Sequence, residues 1–399
     1  MLSKKVKNSN GITLVALVIT IIILLILATI AIQSLTNTGL FKNAEKAREE
    51  TNKAELEQQT RLNEYENALN GYYTPSPKPQ VKLVADNLNK VLSTTDNTEL
   101  NDAYGNKIVV PAGFKIVSDS TTNNVQTVNN GIVIEDATVT ADGTATSTSG
   151  SQFVWIPVGI IYTDVERTDA NKKTIELNRY TFDESGNPTK QNESTIAVGE
   201  YNYQELETSN KGNTVAKNIT NFKNSVSSNG GYYIGRYEAR TTTERNAADN
   251  ALTQITQKGT DQVYNFVTQL QAGQLAQNMY NSSKFTSDLM NSYAWDTATL
   301  FIQECTNQKK YSRQIRLSSI LSQTGTNTQE NKDEQCNVYD MSSNVAEWTT
   351  ETVDSLSQPC SYRGGSYDYP NIYTSFRDNR PTSGSSARLS FRPILFLKF

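Results

Sequence analysis

The chain of 399 residues contains no histidine at all. That excludes Ser–His–Asp triads, histidine general bases and histidine metal ligands together. Cysteine is sparse: Cys305, Cys336 and Cys360 stand far apart with no Cys-x-x-Cys pair, which removes the usual zinc and dithiol redox motifs. Positive charge is not in excess either. Lys and Arg number 37 against 41 Asp and Glu, a formal net charge of -4, so the basic face that nucleic acid needs is not present. There is no internal repeat. What remains is rich in Asn, Thr, Ser and Tyr, the composition of a solvated, loop-rich surface protein, and it is long enough to bury a sizeable core.

One long run lacks charge altogether. From Ile12 to Ile32 only Thr13, Thr20 and Thr29 are polar. At about 1.5 Å per residue a helix over this run measures roughly 31 Å, enough for a bilayer core of about 30 Å. Lys4, Lys5 and Lys7 precede it, and a basic flank belongs on the inside, which places the C-terminal part outside the cell as a single-pass membrane protein. A secretory signal peptide is the competing reading. It fits poorly, because the apolar run is too long and no Ala-x-Ala site follows. Leu40 to Leu69 continues as a charged helix with a thin apolar stripe that includes Ala44, Ala47, Ala54 and Leu62, read as a stalk. Thr74-Pro75-Ser76-Pro77-Lys78-Pro79 then makes a stiff, extended linker.

From Val81 the pattern is that of strands and turns. Lys107–Pro111, Phe114–Val117, Gly131–Ile134 and Phe153–Val158 read as strands, and Gly143–Ser151, small and polar, as a loop. Val263–Met279 and Ser292–Cys305 carry helical periodicity, the second with Trp295, Ala298, Leu300, Phe301 and Ile302 as its packing face. Val338, Met341, Val345 and Trp348 are apolar anchors around a Ser342-Ser343-Asn344 turn. Gly364-Gly365 inside a strand pattern marks a bulge or a close backbone approach. Ile394–Leu397 suits a buried closing strand, and the polar, aromatic stretch between Ser366 and Leu389 reads as a surface loop. The expected class is α+β, with a leader over 1–11, a transmembrane and stalk helix over 12–70, a linker over 71–80, a β-rich extension over 81–150 and the main domain over 151–399. Within it, Thr163 to Lys217 is expected to be an ordered insertion.

Two stretches carry resemblances. Gly11-Ile12-Thr13-Leu14-Val15 before the apolar run resembles the N-terminus of type IV prepilins, in which a prepilin peptidase cuts after the glycine and methylates the new amine, here that of Ile12. That family implies pilin-like subunits as partners beside the membrane. Ala16 stands where most pilins carry the glutamate that pairs with a neighbouring subunit, which points to a minor or tip pilin or a plain anchored protein.

Gly235-Arg236-Tyr237-Glu238, Asn344-Val345-Ala346-Glu347-Trp348, Arg363-Gly364-Gly365-Ser366-Tyr367 and Phe391-Arg392-Pro393, in this order, resemble the formylglycine-generating enzyme family, a branch of the C-type lectin fold. In the active oxidases two copper-binding cysteines follow the Arg-Gly-Gly-Ser-Tyr block. Tyr369 and Thr374 occupy those places here, and a phenol and a hydroxyl cannot replace a thiolate pair. Oxidase activity is therefore not expected and no cofactor is required. Asn344 and Glu347 match a place where relatives hold a structural calcium; a hydrogen-bonded turn is the other reading. Cys336 and Cys360 flank that turn, either as a disulfide or as free buried thiols.

The loop that follows offers Tyr367, Asp368, Tyr369, Asn371, Tyr373, Thr374, Ser375, Arg377, Asp378 and Asn379 as a ligand-binding face, the palette of adaptable binding surfaces. Its place between fixed blocks resembles the variable proteins of diversity-generating retroelements. The expected function is a membrane-anchored, pilin-like surface protein displaying a non-catalytic, adhesin-like head for an unknown protein or glycan. A structural minor or tip pilin is the alternative, and an enzyme of altered chemistry the third reading.

Overall fold

The computed structural model describes residues 10–37, 40–72, 82–118, 127–140, 144–205, 219–248, 256, 258–326 and 333–398. It divides into two compact units, Met1–Gln80 and Val81–Phe399. Among its described residues the first holds two helices, α1 (Asn10–Asn37) and α2 (Leu40–Tyr72), where the sequence suggested one continuous helix. The side chains of α1 are described over 17–30, where every one is exposed. The expected span Ile12–Ile32 therefore falls partly outside the described side chains, and among the described residues no helix is long and apolar enough to cross a membrane. Gly11 and Ile12 fall within α1, but their side chains lie outside the described residues, as do Lys4, Lys5, Lys7 and the proline-rich linker.

The second unit mixes helix and strand around two six-stranded sheets. In one, the strands run Phe285–Leu289, Pro393–Leu397, Gly231–Gly235, Ala145–Pro157, Val133–Val139 and Phe114–Ile116 in spatial order. The closing strand Pro393–Leu397 is buried throughout and lies between two antiparallel neighbours, as its continuous apolar pattern demands. The other sheet runs Thr195–Val198, Tyr201–Gln204, Ala346–Val353, Cys360–Arg363 and Arg377–Arg380, with Leu389–Phe391 added parallel to Ala346–Val353.

Helices fill the space beside the sheets, and their ends follow local chemistry. α3 (Ile219–Asn229) lays Phe222 and Val226 onto the first sheet. α4 (Gln269–Met279) starts later than periodicity alone suggests, because Thr268 and Gln271 form a capping box. Residues Gln262–Val263 before it are a short strand. α5 (Ser292–Cys305) has the expected bounds, begun by the Asn291 side chain accepting from the Ala294 N–H at 2.9 Å. Its Trp295, Ala298, Phe301 and Ile302 enter one core with Trp155 and Tyr233, while Trp348, Phe391 and Tyr264 organise a second core beneath α4.

Two expectations fail here for a shared reason. The boundary drawn at 150/151 falls inside a single strand, Ala145–Pro157, and the expected loop at Gly143–Ser151 is largely the first half of that strand. Asp136 explains it: its Oδ1 accepts from the backbone N–H groups of Ser149, Gly150 and Ser151 at 3.2, 2.9 and 3.1 Å. A buried acceptor thus fixes a bulge at Ser149–Ser151, with Gly150 at φ 75, and the strand continues through residues whose composition favours a loop. The insertion is ordered over its described part: Lys172–Ile175 pairs back onto Gly159–Tyr162 just before it, and two hairpins follow, the second joining the second sheet through Tyr203 and Gln204.

Candidate functional site

The C-terminal half of the second sheet rests on a buried cluster of charges. Asp296 on α5 accepts from Arg363 and Arg377, both Nη2–Oδ contacts at 2.5 Å, and from the Tyr180 N–H at 2.9 Å. Glu351 accepts from Arg179 at 2.6 Å and from the Arg377 Nε at 3.2 Å. All five side chains are buried. Burial works against the Glu351 charge, but the guanidiniums of Arg377, Arg179 and Arg363 outweigh it and hold the carboxyl down to about 2. These charges bind the Arg179–Phe182 strand, α5 and three residues of the second sheet into one support.

Two clefts share Arg313 and Tyr373, and the smaller of them reaches that support through Arg377. The larger, about 610 Å³, is walled by Lys310, Ile315, Leu317 and Asn371, with Glu184 at its side. The smaller, about 180 Å³, is lined by Phe182, Val198, Phe376, Ser375 and Arg377. Between them the Arg313 guanidinium lies 3.6 Å from the centroid of the Tyr373 ring, and it also pairs with Glu184. Tyr373 meets Phe376 edge-on at 5.6 Å.

The wall is held from behind. Tyr311 is fully buried and donates its hydroxyl to Asp333 at 3.1 Å, and Gln303 of α5 accepts from the Ser312 N–H at 2.8 Å. The chain from 312 onward then runs antiparallel to 373–375: the Ser375 N–H donates to the Ser312 carbonyl at 2.9 Å and the Thr374 N–H to the Gln314 carbonyl at 3.1 Å. An extended segment alternates its faces. Gln314 turns its amide inward to Ser342 Oγ at 2.9 Å and Arg316 donates to the Tyr367 carbonyl, while Ile315 and Leu317 face the cleft, 48% and 39% exposed.

The ten residues expected to form a binding face separate into three groups. Asn371 and Tyr373 line the larger cleft; Tyr373, Ser375 and Arg377 line the smaller. Tyr367, Asp368 and Tyr369 lie elsewhere on the loop, where Arg388 covers the Tyr369 ring at 4.6 Å and pairs with Asp368 at 3.1 Å. Thr374, Ser375, Arg377 and Asn379 are buried, a correction to the exposed loop that their polarity suggested. Arg377–Arg380 is a strand, its Arg377 held by Asp296 and Glu351 and its Asn379 amide by the Gln358 carbonyl at 2.9 Å. Asp378 accepts from the Tyr362 hydroxyl at 2.5 Å. Sequence reasoning missed Arg313, Ile315, Leu317 and Glu184. The signal for the first three was the alternation of outward residues in Arg313-Gln314-Ile315-Arg316-Leu317.

Asn344 and Glu347 do not fit a calcium site. Glu347 holds Arg392 through two contacts, 2.6 and 3.1 Å, and the Asn344 amide spans Glu238 and the Ser322 N–H, each at 3.0 Å. Asn344 adopts φ 59, the left-handed turn conformation that asparagine tolerates. The hydrogen-bonded turn is the reading these contacts carry. Among the described residues no group of three acidic or cysteine side chains is arranged to hold a metal. All three cysteines are free; Cys305 and Cys336 pack on the first core and Cys360 lies in the second.

Glu205 adds a titration near neutrality. Its carboxyl accepts from the Ser292 N–H and hydroxyl, both at 2.7 Å, and from Thr350. Burial and the neighbouring Glu351 charge push it up to about 7. A carboxyl raised in the folded state favours folding while protonated, and that contribution is lost as pH rises through the folded value. The melting temperature should therefore fall between about pH 5 and pH 7.5, and Glu205→Gln should flatten that slope, as differential scanning fluorimetry across pH would show. An unchanged slope would contradict the assignment.

No model of a known protein family matches the chain, and no curated protein matches it in sequence. Among solved structures, CarF is 19% identical over 29% of this chain and 49% of its own length, with a TM-score of 0.22; the chain thus spans about half of that protein. Treponema denticola variable protein 1 is 13% identical, covering 62% of this chain and 97% of its own, with a TM-score of 0.31.

Proposed function

We propose that this chain is a membrane-anchored, pilin-like surface protein whose second unit is a non-catalytic, ligand-binding head of the C-type lectin kind. One observation carries the binding reading: two clefts share the Arg313–Tyr373 stack, and the smaller reaches the buried ion cluster through Arg377. Exposed side chains on a locked support are what a recognition surface requires, because little conformational entropy is lost on binding. Tyr369 and Thr374, at the places of the copper-binding cysteines, speak against oxidase chemistry of the formylglycine type.

The test is to titrate the purified full chain against glycan and peptide panels, beside Tyr373→Ala. The wild type should bind members of at least one class, and the variant should lose about tenfold or more in affinity with its melting temperature kept. Binding unaffected by the substitution would place the site elsewhere. The anchor reading rests on the uncharged run and the Gly11-Ile12 junction. It predicts an intact mass that begins at Ile12 in the membrane fraction; a mature N-terminus elsewhere would remove the prepilin part of the proposal.

A further inference from the structure

Resting on the binding reading of the clefts, we infer that their ligand is an acidic, apolar peptide segment of a partner protein, bound in extended form. The first ground is the character of the exposed wall. Ile315 and Leu317 point outward two residues apart, 48% and 39% exposed, and Ile320 beyond them is 71% exposed. Aliphatic side chains gain free energy on binding by being covered with apolar surface. A sugar ring edged with hydroxyls supplies little of it, whereas alternate side chains of a peptide supply it at the same two-residue period.

The second ground is the smaller cleft. At about 180 Å³, with Phe182, Val198, Tyr373 and Phe376 in its lining, it is an aromatic and aliphatic slot of side-chain size. Arg377, also in that lining, is held by Asp296 and Glu351, so its charge is met from within the support. The third ground is charge. Of the ionisable groups around the larger cleft, Glu184 pairs with Arg313, which leaves the exposed Lys310 as an excess cation in a chain whose net charge is -4. An approaching carboxylate meets Lys310, while a basic segment is repelled by it. An apolar side chain in the small cleft, a second along Ile315 and Leu317, and an acidic residue beside Lys310 together describe the segment.

The test uses immobilised synthetic octapeptides in three sets, acidic–apolar, basic–apolar and acidic without apolar residues, together with a glycan array and the full chain in detergent. Acidic–apolar peptides should bind at least about tenfold more tightly than either other set, and more weakly as salt is raised. Lys310→Glu should reverse the preference between acidic and basic sets, and Leu317→Asp should abolish binding. Both side chains are exposed, so both variants should melt with the wild type. Equal binding of acidic and basic sets would overturn the inference. Glycans bound through Tyr373 with all peptides ignored would overturn it while leaving the binding reading intact. Failure of peptides and glycans alike would overturn both.

Discussion

Replacing Asp296 with alanine is expected to lower stability by about 3–5 kcal/mol, the usual effect of removing one partner from a buried ion cluster. Asp296 is fully buried and receives Arg363, Arg377 and the Tyr180 N–H. Without it two guanidiniums face Glu351 alone, whose contacts to Arg179 and Arg377 are already made. For a unit of this size the melting temperature should fall by roughly 6 °C. Asp296→Asn, which keeps the shape and removes the charge, should destabilise as well. A shift of less than about 2 °C for both variants would show that the cluster does not hold the sheet to α5. The same cluster makes the fold acid-sensitive. Glu351, held down to about 2, contributes stability that is present above its ordinary value and lost as pH falls toward 2.

Gly365→Ala should be comparably damaging, for a steric reason. A Cβ there would lie 1.8 Å from the Ser342 carbonyl oxygen and 2.5 Å from its carbon, and neither is a flexible side chain that can move aside. Either the Ser342–Ser343 turn or the strand leaving Arg363 must shift, at a loss of about 3 kcal/mol or more. Gly199 sets the contrast, because a Cβ there meets nothing within 4 Å and only its φ of +60 resists alanine. Chemical denaturation of both variants measures the difference. If Gly365→Ala proved no worse than Gly199→Ala, the two backbones would not be packed as described.

These two positions also show how much could be read from the chain. Gly364-Gly365 announced a close backbone approach because two glycines in a strand pattern have few other uses, and Met341 and Ser342 are the residues that approach. The bounds of α5 were legible because Asn291 caps it and the apolar period is clean. The anchors Val338, Met341, Val345 and Trp348 were legible for the same reason, apolar residues set in a polar chain, and all are buried. The ion cluster was not. Arg179, Asp296, Glu351, Arg363 and Arg377 are brought together only by the tertiary fold, and a polar residue does not declare from its neighbours whether it is buried. Hence Thr374, Ser375, Arg377 and Asn379 read as surface and proved to be buried. The cleft wall was hidden differently. Lys310 to Leu317 looks like a polar connector, and its alternation acquires meaning only once residues 373–375 run beside it.

The binding claim is tested most directly by photo-crosslinking from single positions of the full chain. A photoreactive residue at position 315, beside the Arg313–Tyr373 stack, is compared with one at position 165, where Val165 is 66% exposed and lines neither cleft. Each is irradiated with whichever peptide or glycan the panels show to bind. Binding at the clefts predicts an adduct from position 315 and none from 165, with Tyr373→Ala removing it. An adduct from 165 alone, or equal yields from both positions, would contradict it.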